Sequence, residues 1–154
     1  MADLENFEVQ IHRYERVLVA VDSDDFGSSR PAFEYACTMA KMFHLPLGIV
    51  SILETGDLNI FQTLSRDVLS NQRTAVAHLL ETYVEKAKNF GVLEVAPYLS
   101  EGKPGRTIVD SIIPMFKPDL LVVGSERKNN PNDIGSQASY MVRYAPCSVI
   151  VVRS

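Results

Sequence analysis

Acidic side chains follow the first strongly apolar run of the sequence. Arg16 to Asp22 reads RVLVAVD, and Ser23, Asp24 and Asp25 come next. Carboxylates at the end of a strand can bind a divalent cation or a ribose hydroxyl, but acids are also common there as solvated loop residues. Only Asp22 lies at the end of the run itself, so it is the strongest of the three acidic candidates for a binding residue.

A glycine and a serine, Gly135 and Ser136, come directly before a segment with helical spacing near the C-terminus. The free N–H groups and the positive dipole end of a helix N-terminus suit an anion such as phosphate. The alternative is structural, because Ser136 could simply cap the helix while Gly135 eases a turn. For an isolated Gly-Ser pair, the structural interpretation is favoured. The place of Gly135 and Ser136 in the predicted fold strengthens the functional interpretation.

Other groupings of residues that carry chemistry do not occur in the sequence. His12, His44 and His78 share no spacing that would build a metal site, and Cys37 and Cys147 lie in apolar contexts without C-x-x-C spacing. No nucleophile elbow or Walker-type loop occurs, and nothing places a nucleophile beside a base. We assign no catalytic and no metal-binding residue, and a hydrolase is expected only as a slow side activity.

The composition is that of a globular cytoplasmic protein. Hydrophobic residues make up 46% and charged residues 22% of the 154 positions, and the formal net charge is −4. This balance gives no basic surface for nucleic acid. The N-terminus is acidic and polar, unlike a secretory signal, and no run approaches the roughly 20 apolar residues that cross a bilayer. We therefore expect no nucleic-acid or membrane partner.

Apolar runs of strand length alternate with segments of helical spacing, which predicts an α/β fold with a doubly wound parallel sheet. Pro97 lacks the N–H donor of a central strand, so the third strand belongs at an edge, and right-handed crossovers favour the order 3-2-1-4-5. Residues 1–15 are expected to form a loosely held N-terminal arm and residues 16–154 a single domain. The five predicted strands are residues 16–22, 47–53, 92–99, 119–124 and 148–153.

Helix signals lie between these strands. Ser28 and Ser29 are predicted to cap the first helix, with Pro31 in its first turn and its end near His44. A long amphipathic helix then ends before Gly91. The turn at residues 102–105 leads into a third helix, and the last helix begins near Gly135-Ser136 and closes before Pro146.

The predicted strand order places a ligand crevice between strands one and four. In an open doubly wound sheet, ligands bind beyond the carboxyl ends of the strands where the strand order reverses. This position brings Asp22 to one side of the crevice. Gly124 and the loop that leads to Gly135 and Ser136 lie on the other side.

Three blocks of sequence resemble the universal stress protein family over residues 16–153. They are RVLVAVDSDDFGSSRPAFEYACTMAK, EGKPGRTIVDSIIPMFKPDLLVVGS and IGSQASYMVRYAPCSVIVVR. The resemblance implies an adenine nucleotide alpha hydrolase-like, Rossmann-like fold and a role in the stress response. Nucleotide-binding members carry a loop of the form G-x-x-G-x9-G-[S/T], whose glycines let the backbone approach the phosphates.

This loop departs from the family's pattern. Gly124 matches the first glycine and Gly135-Ser136 the last pair, but Arg127 replaces the second glycine and the loop is two residues shorter. A second hydroxyl often found two residues after the last pair is replaced by Ala138.

The resemblance implies one of two functions. The first is a module that binds ATP or AMP, with Mg²⁺, through a nucleotide-binding set. The second is a dimeric interaction protein of the same fold that does not bind nucleotide. The residues of the nucleotide-binding set are Asp22, Gly124, Ser125, Arg127, Gly135 and Ser136.

The last strand and the family resemblance both indicate a homodimer. Ser148 to Val152 is an apolar edge strand without Lys or Pro, which an antiparallel pair with a second copy would cover. The sequence identifies no other protein partner. A phosphoacceptor receiver domain is excluded, because the third predicted strand ends in Tyr98-Leu99-Ser100 rather than an acceptor Asp, and no Lys follows the fifth.

Overall fold

The structure, a computed structural model, describes residues 2–54, 66–125 and 134–154. Its five strands form one sheet in the order β3-β2-β1-β4-β5, and every neighbouring pair is parallel. The predicted fold class and strand order are therefore confirmed. The strands are β1 (Val17–Ala20), β2 (Leu47–Leu53), β3 (Val95–Glu101), β4 (Leu120–Gly124) and β5 (Ser148–Val152).

Helices cover both faces of this sheet. On one face, α2 (Phe26–Phe43) and α3 (Arg66–Phe90) pack on the odd-numbered side chains of β1 and β2. On the other face lie α4 and α5, the latter Ser136–Tyr144, against Leu18, Val50 and Leu121. We use α4 for three consecutive helical stretches, Pro104–Thr107, Ile108–Ile112 and Ile113–Phe116. No helix among the described residues is long and apolar enough to span a membrane.

The bounds of β2 agree with the prediction, whereas those of β3 do not. All seven residues of β2 are buried, as expected for a parallel strand covered on both faces. The predicted start of β3 was three residues too early, because Val92 follows α3 directly and its N–H bonds back to the last turn of that helix. The N–H groups of Gly91 and Val92 both donate to the carbonyl of Ala87, which closes the helix with a left-handed glycine.

The start of α2 differs from the prediction. The N-cap is Asp25, whose carboxylate accepts a hydrogen bond from the Ser28 N–H at 3.2 Å. Ser28 and Ser29 lie inside the helix and are buried, and Pro31 follows the first turn. Both Asp25 and the serines are good caps by residue type, so the sequence alone did not decide between them.

A π-helical stretch interrupts α4 at Ile108–Ile112. The N–H of Ile113 donates to the carbonyl of Ile108, five residues back, directly before Pro114. Proline has no N–H, and its ring clashes with the carbonyl four residues earlier in a regular α-helix. The wider turn accommodates Pro114 without ending the helix.

The N-terminal arm contains one short helix, α1 (Ala2–Asn6). Residues 3–13 are exposed, and Tyr14 is the first side chain to pack partly against the core. The arm joins the domain where the Asp119 carboxylate accepts hydrogen bonds from the N–H groups of Glu15 and Arg16 at 2.9–3.0 Å. The chain therefore has a fixed anchor at the base of the arm.

Candidate functional site

A crevice lies beyond the carboxyl ends of β1 and β4, where the strand order reverses. Asp22 and Gly124 line it from the two strands, and Glu54 lines it from the end of β2. Its remaining walls come from the first turns of three helices, with Ser28 and Ser29 in α2, Pro104 in α4, and Gln137 and Ala138 in α5. The structure thus places a crevice at the predicted position.

The Asp22 carboxylate is half-buried at the edge of this crevice. One of its oxygens accepts a hydrogen bond from the Asp24 N–H at 2.9 Å, and the Asp22 N–H donates to the Ser29 hydroxyl at 2.8 Å. Both contacts hold the residue in place at the end of β1. Asp24 is exposed and Asp25 caps α2, so Asp22 is the one of the three acids that lines the crevice.

The negative charge of Asp22 also reaches the buried face of α3. Burial raises the pKa of the Tyr83 hydroxyl, and the charge of Asp22 raises it further. Tyr83 packs edge to face against Phe33, with ring centroids 4.7 Å apart. The electrostatic link between Tyr83 and Asp22 depends on the tertiary structure, because the two residues are far apart in the sequence.

Gly124 is required by packing. A Cβ atom at this position would lie 2.3 Å from the carbonyl oxygen of Ser28 and 2.6 Å from its hydroxyl. Real Cβ atoms do not come this close to backbone atoms. The absence of a side chain at Gly124 therefore lets β4 meet the first turn of α2, a reason that the sequence could not reveal.

Gly135 begins α5. It is the N-cap with φ +84°, a conformation that glycine adopts without strain. Ser136 is the exposed first residue of the helix rather than its cap. The first N–H groups of such a helix point out of its end, towards any ligand placed there.

Gln137 is a crevice residue that the sequence did not identify. Its side-chain oxygen accepts a hydrogen bond from the Gly105 N–H at 2.8 Å. Gly105 fits because a Cβ there would lie 3.0 Å from the same oxygen and 3.1 Å from the Gln137 carbonyl. This contact fixes the starts of α4 and α5 side by side. In the sequence, the glycine at position 105 was the one sign of such a close approach.

Of the predicted binding set, Asp22 and Gly124 line the crevice, whereas Ser125, Gly135 and Ser136 are not among its lining residues. The Ser125 side chain is 1% exposed, and its hydroxyl has no hydrogen-bond partner among the described residues. Its N–H donates to the carbonyl of Val152 at 3.3 Å, which extends the pairing of β4 with β5. Arg127 lies outside the described residues.

The crevice combines helix starts with carboxylates. Residues from the first turns of three helices line it, and Asp22 and Glu54 add two acidic side chains to its walls. Its free volume is about 70 Å³, whereas small-molecule pockets commonly have about 300–1,000 Å³. Within the described residues, no group of three or more His, Cys, Asp or Glu is arranged to hold a metal ion.

Comparisons with known proteins agree on one family. The model of the universal stress protein family matches residues 13–153. A curated relative from Staphylococcus aureus (strain USA300), named as a universal stress protein, is 29% identical over 143 residues, which cover 92% of this chain and 85% of the relative.

Solved structures share the fold. Universal stress protein UspA from Lactobacillus plantarum has a TM-score of 0.78 and 24% identity, and the match covers 93% of this chain and all of that one. A universal stress protein family protein from Arabidopsis thaliana, solved with AMP bound, has a TM-score of 0.63 and 23% identity, with 90% of each chain covered.

Proposed function

The chain belongs to the universal stress protein family, and from this premise we propose that it is a stress-response module whose crevice binds an adenine nucleotide, ATP or AMP. The observation that carries the proposal is the meeting of the Asp22 carboxylate with the starts of three helices at the reversal of the strand order. The Arabidopsis protein with bound AMP supports the choice of ligand.

Each part of the nucleotide has a suitable counterpart. Asp22 accepts hydrogen bonds from the ribose hydroxyls, because its carboxylate faces the crevice and is held by the Asp24 N–H. The phosphates bind at the start of α5, near Gly124, Ser125, Gly135 and Ser136, where N–H groups and the helix dipole favour negative charge. Arg127 is proposed to contribute a positive charge, and Mg²⁺ to accompany ATP.

The small volume of the crevice favours a second candidate function. About 70 Å³ cannot hold a nucleotide unless the walls separate, and the loop before Gly135 is two residues shorter than the family's nucleotide-binding form. A dimeric interaction protein that has lost nucleotide affinity would show both features. It would act through contacts with protein partners that the sequence does not identify.

Isothermal titration separates the two functions. Nucleotide-free protein is titrated with ATP and AMP, each with and without Mg²⁺. The first function predicts saturable binding that Asp22→Asn weakens about tenfold or more, the effect of losing one hydrogen bond to a charged group. The amide keeps an oxygen for the Asp24 N–H, so the turn is preserved. Asp24→Asn, at an exposed position, is the matched control and should leave binding unchanged. Absence of heat with both nucleotides supports the second function.

Two further properties are proposed whichever of the two functions is correct. We propose that two copies pair through β5, and that the protein is cytoplasmic. The half-buried residues 149–152 along the free edge support the pairing. Fractionation of the source cells tests the location, and recovery of the protein with the membrane or secreted fraction would contradict it.

A further inference from the structure

The N-terminal arm exposes a row of large apolar side chains. Phe7, Val9 and Ile11 are 61%, 90% and 95% exposed. They alternate with Glu8, Gln10 and His12, so an extended chain would carry all three on one face. Rows of exposed apolar residues of this kind mark an interaction surface in a folded protein.

A groove with a volume of about 670 Å³ lies between α2 and α3. We call it the helix groove. Phe26, the first residue of α2, lines one end and Phe90, the last residue of α3, lines the other. Phe33, Cys37 and Tyr83 lie between them. Its position is separate from the crevice, which opens between β1 and β4.

The groove is more apolar than its residue types suggest. Thr38 and Thr82 line it, but their hydroxyls donate to the carbonyls of Glu34 and His78 in their own helices, at 2.8 and 3.2 Å. Neither hydroxyl proton is therefore available to an occupant. Apolar side chains of a partner are the occupants that this surface suits.

The charges of the arm and of the groove are complementary. The arm, residues 1–15, contains four acidic residues, Asp3, Glu5, Glu8 and Glu15, and one basic residue, Arg13. Arg30 and Lys86 line the groove with Glu34, which pairs with Arg30 at 3.3 Å, so the excess charge of the lining is positive. An acidic arm is therefore attracted to this surface. Asp22 is also acidic, but it belongs to the crevice and does not line the groove.

The lengths of the arm and of the groove also match. The 18 residues of α2 span about 27 Å at 1.5 Å per residue. Phe7 to Tyr14 spans about 26 Å when extended. The apolar row from Phe7 to Ile11 spans about 14 Å at about 3.4 Å per residue, so it can lie along roughly half of the helix groove.

We propose that the arm of one copy docks in the helix groove of a second copy. The chain's own arm does not cover its groove, because residues 3–13 are exposed while the base is anchored to Asp119. A reciprocal exchange of identical arms between two copies is a low-cost route to a closed dimer, since each arm finds a ready-made site. The exchange covers Phe7, Val9 and Ile11 and fills both grooves.

Cross-linking between two full-length variants tests the proposal. One variant carries Gln10→Cys, which leaves the apolar row intact, and is labelled with ¹⁵N. The other is unlabelled and carries Thr82→Cys in the groove. The two are mixed, treated with a short bis-maleimide and digested. We expect a cross-linked peptide pair in which one peptide is labelled and the other is not.

Matched variants make the result specific. Glu85→Cys, exposed on α3 but outside the groove lining, should give far less cross-link than Thr82→Cys. The double substitution Val9→Asp and Ile11→Asp should abolish the cross-link. Leu93 is also apolar and 83% exposed but lies outside the arm, so Leu93→Asp should leave the cross-link unchanged. All these substitutions are at exposed sites, so folding is preserved.

Two outcomes would overturn the proposal. The first is no cross-link above the Glu85→Cys level. The second comes from a variant that carries both Gln10→Cys and Thr82→Cys, mixed as labelled and unlabelled protein: a cross-link found solely within single chains would mean that the arm docks on its own groove. The cross-link reports where the arm lies, so its result does not depend on β5 pairing or on nucleotide binding.

Discussion

Gly124 ends β4 at a distance from α2 that leaves no room for a side chain. The atoms that a Cβ would meet are the Ser28 carbonyl at 2.3 Å and its carbon at 2.9 Å. Backbone atoms cannot turn aside as the end of a flexible side chain can. Any substitution must therefore separate the strand from the helix at the wall of the crevice.

We predict that Gly124→Ala destabilises the fold by about 1–3 kcal/mol, the usual cost of forcing extra atoms into a packed interior. Gly27→Ala is the matched control, because the nearest atom to its Cβ is 3.9 Å away and alanine is favoured over glycine in a helix. Urea denaturation of the three proteins measures the free energies of unfolding. Equal values for Gly124→Ala and the wild type would show that the approach of Ser28 is not restrictive.

The two cysteines differ in burial and so in reactivity. Cys37 is 4% exposed, and burial followed by the charge of Glu34 raises its pKa from 9.0 to about 12. Because the thiolate is the reactive form, we predict that iodoacetamide at pH 8 modifies Cys37 much more slowly than the half-buried Cys147. Mass spectrometry over time follows each site, and the rates should become similar in urea. Faster modification of Cys37 in the native protein would contradict this.

The elements differ in how well the sequence predicts them. Buried strands such as β2 are continuous apolar runs, so their bounds follow from residue type alone. The start of α2 depends on which of several good N-cap residues is used, and the π-helical stretch depends on the clash that Pro114 would cause in a regular helix. Neither feature produces a periodic pattern in the sequence. In the site, Asp22 and Gly124 could be found from the strand ends. The Gly105–Gln137 contact could not, because it joins residues far apart in the chain.

Loop length between β4 and α5 is predicted to limit nucleotide affinity. Gly124 is fixed against Ser28, and Gly135 begins α5, so the loop must span a set distance with two residues fewer than the family's nucleotide-binding form. Replacing residues 125–134 with a glycine-rich loop two residues longer should raise ATP affinity in isothermal titration. Arg127→Gly alone should not, and a glycine-rich loop of unchanged length is the control that separates length from composition. An unchanged Kd for the longer loop would contradict this account.

At the scale of the whole molecule, the sheet has two edges that are protected differently. β3 carries Pro97, which lacks an N–H and so discourages pairing with another chain. β5 carries neither Pro nor Lys, and its residues 149–152 are half-buried. An exposed apolar edge of this kind promotes aggregation unless it is covered. Pairing with a second copy covers it in a closed, two-fold symmetric assembly.

The hydrogen bonds of β5 identify the residues that face this free edge. The Val152 carbonyl accepts from the Ser125 N–H, so Val152 points towards β4. Because successive residues of a strand alternate in direction, Ile150 also faces β4, while Val149 and Val151 direct their N–H groups to the free edge. A proline at Ile150 would break the sheet within one chain, whereas a proline at Val151 removes a donor from the pairing between chains.

We therefore predict that the wild-type protein is a dimer and that Val151→Pro converts it to a monomer or an aggregate. Both Val151 variants are made together with Val9→Asp and Ile11→Asp, so that exchange of the arms cannot hold the two copies together. The edge strand β3 already holds a proline, so this fold accepts one where the N–H is not needed. Val151→Ile keeps the N–H and the branched side chain and should remain dimeric. Sedimentation velocity gives the mass of each protein, and circular dichroism establishes that Val151→Pro is folded. A monomeric wild type, or a folded Val151→Pro variant that is as dimeric as Val151→Ile, would exclude pairing through β5, since that pairing requires the donor that proline lacks.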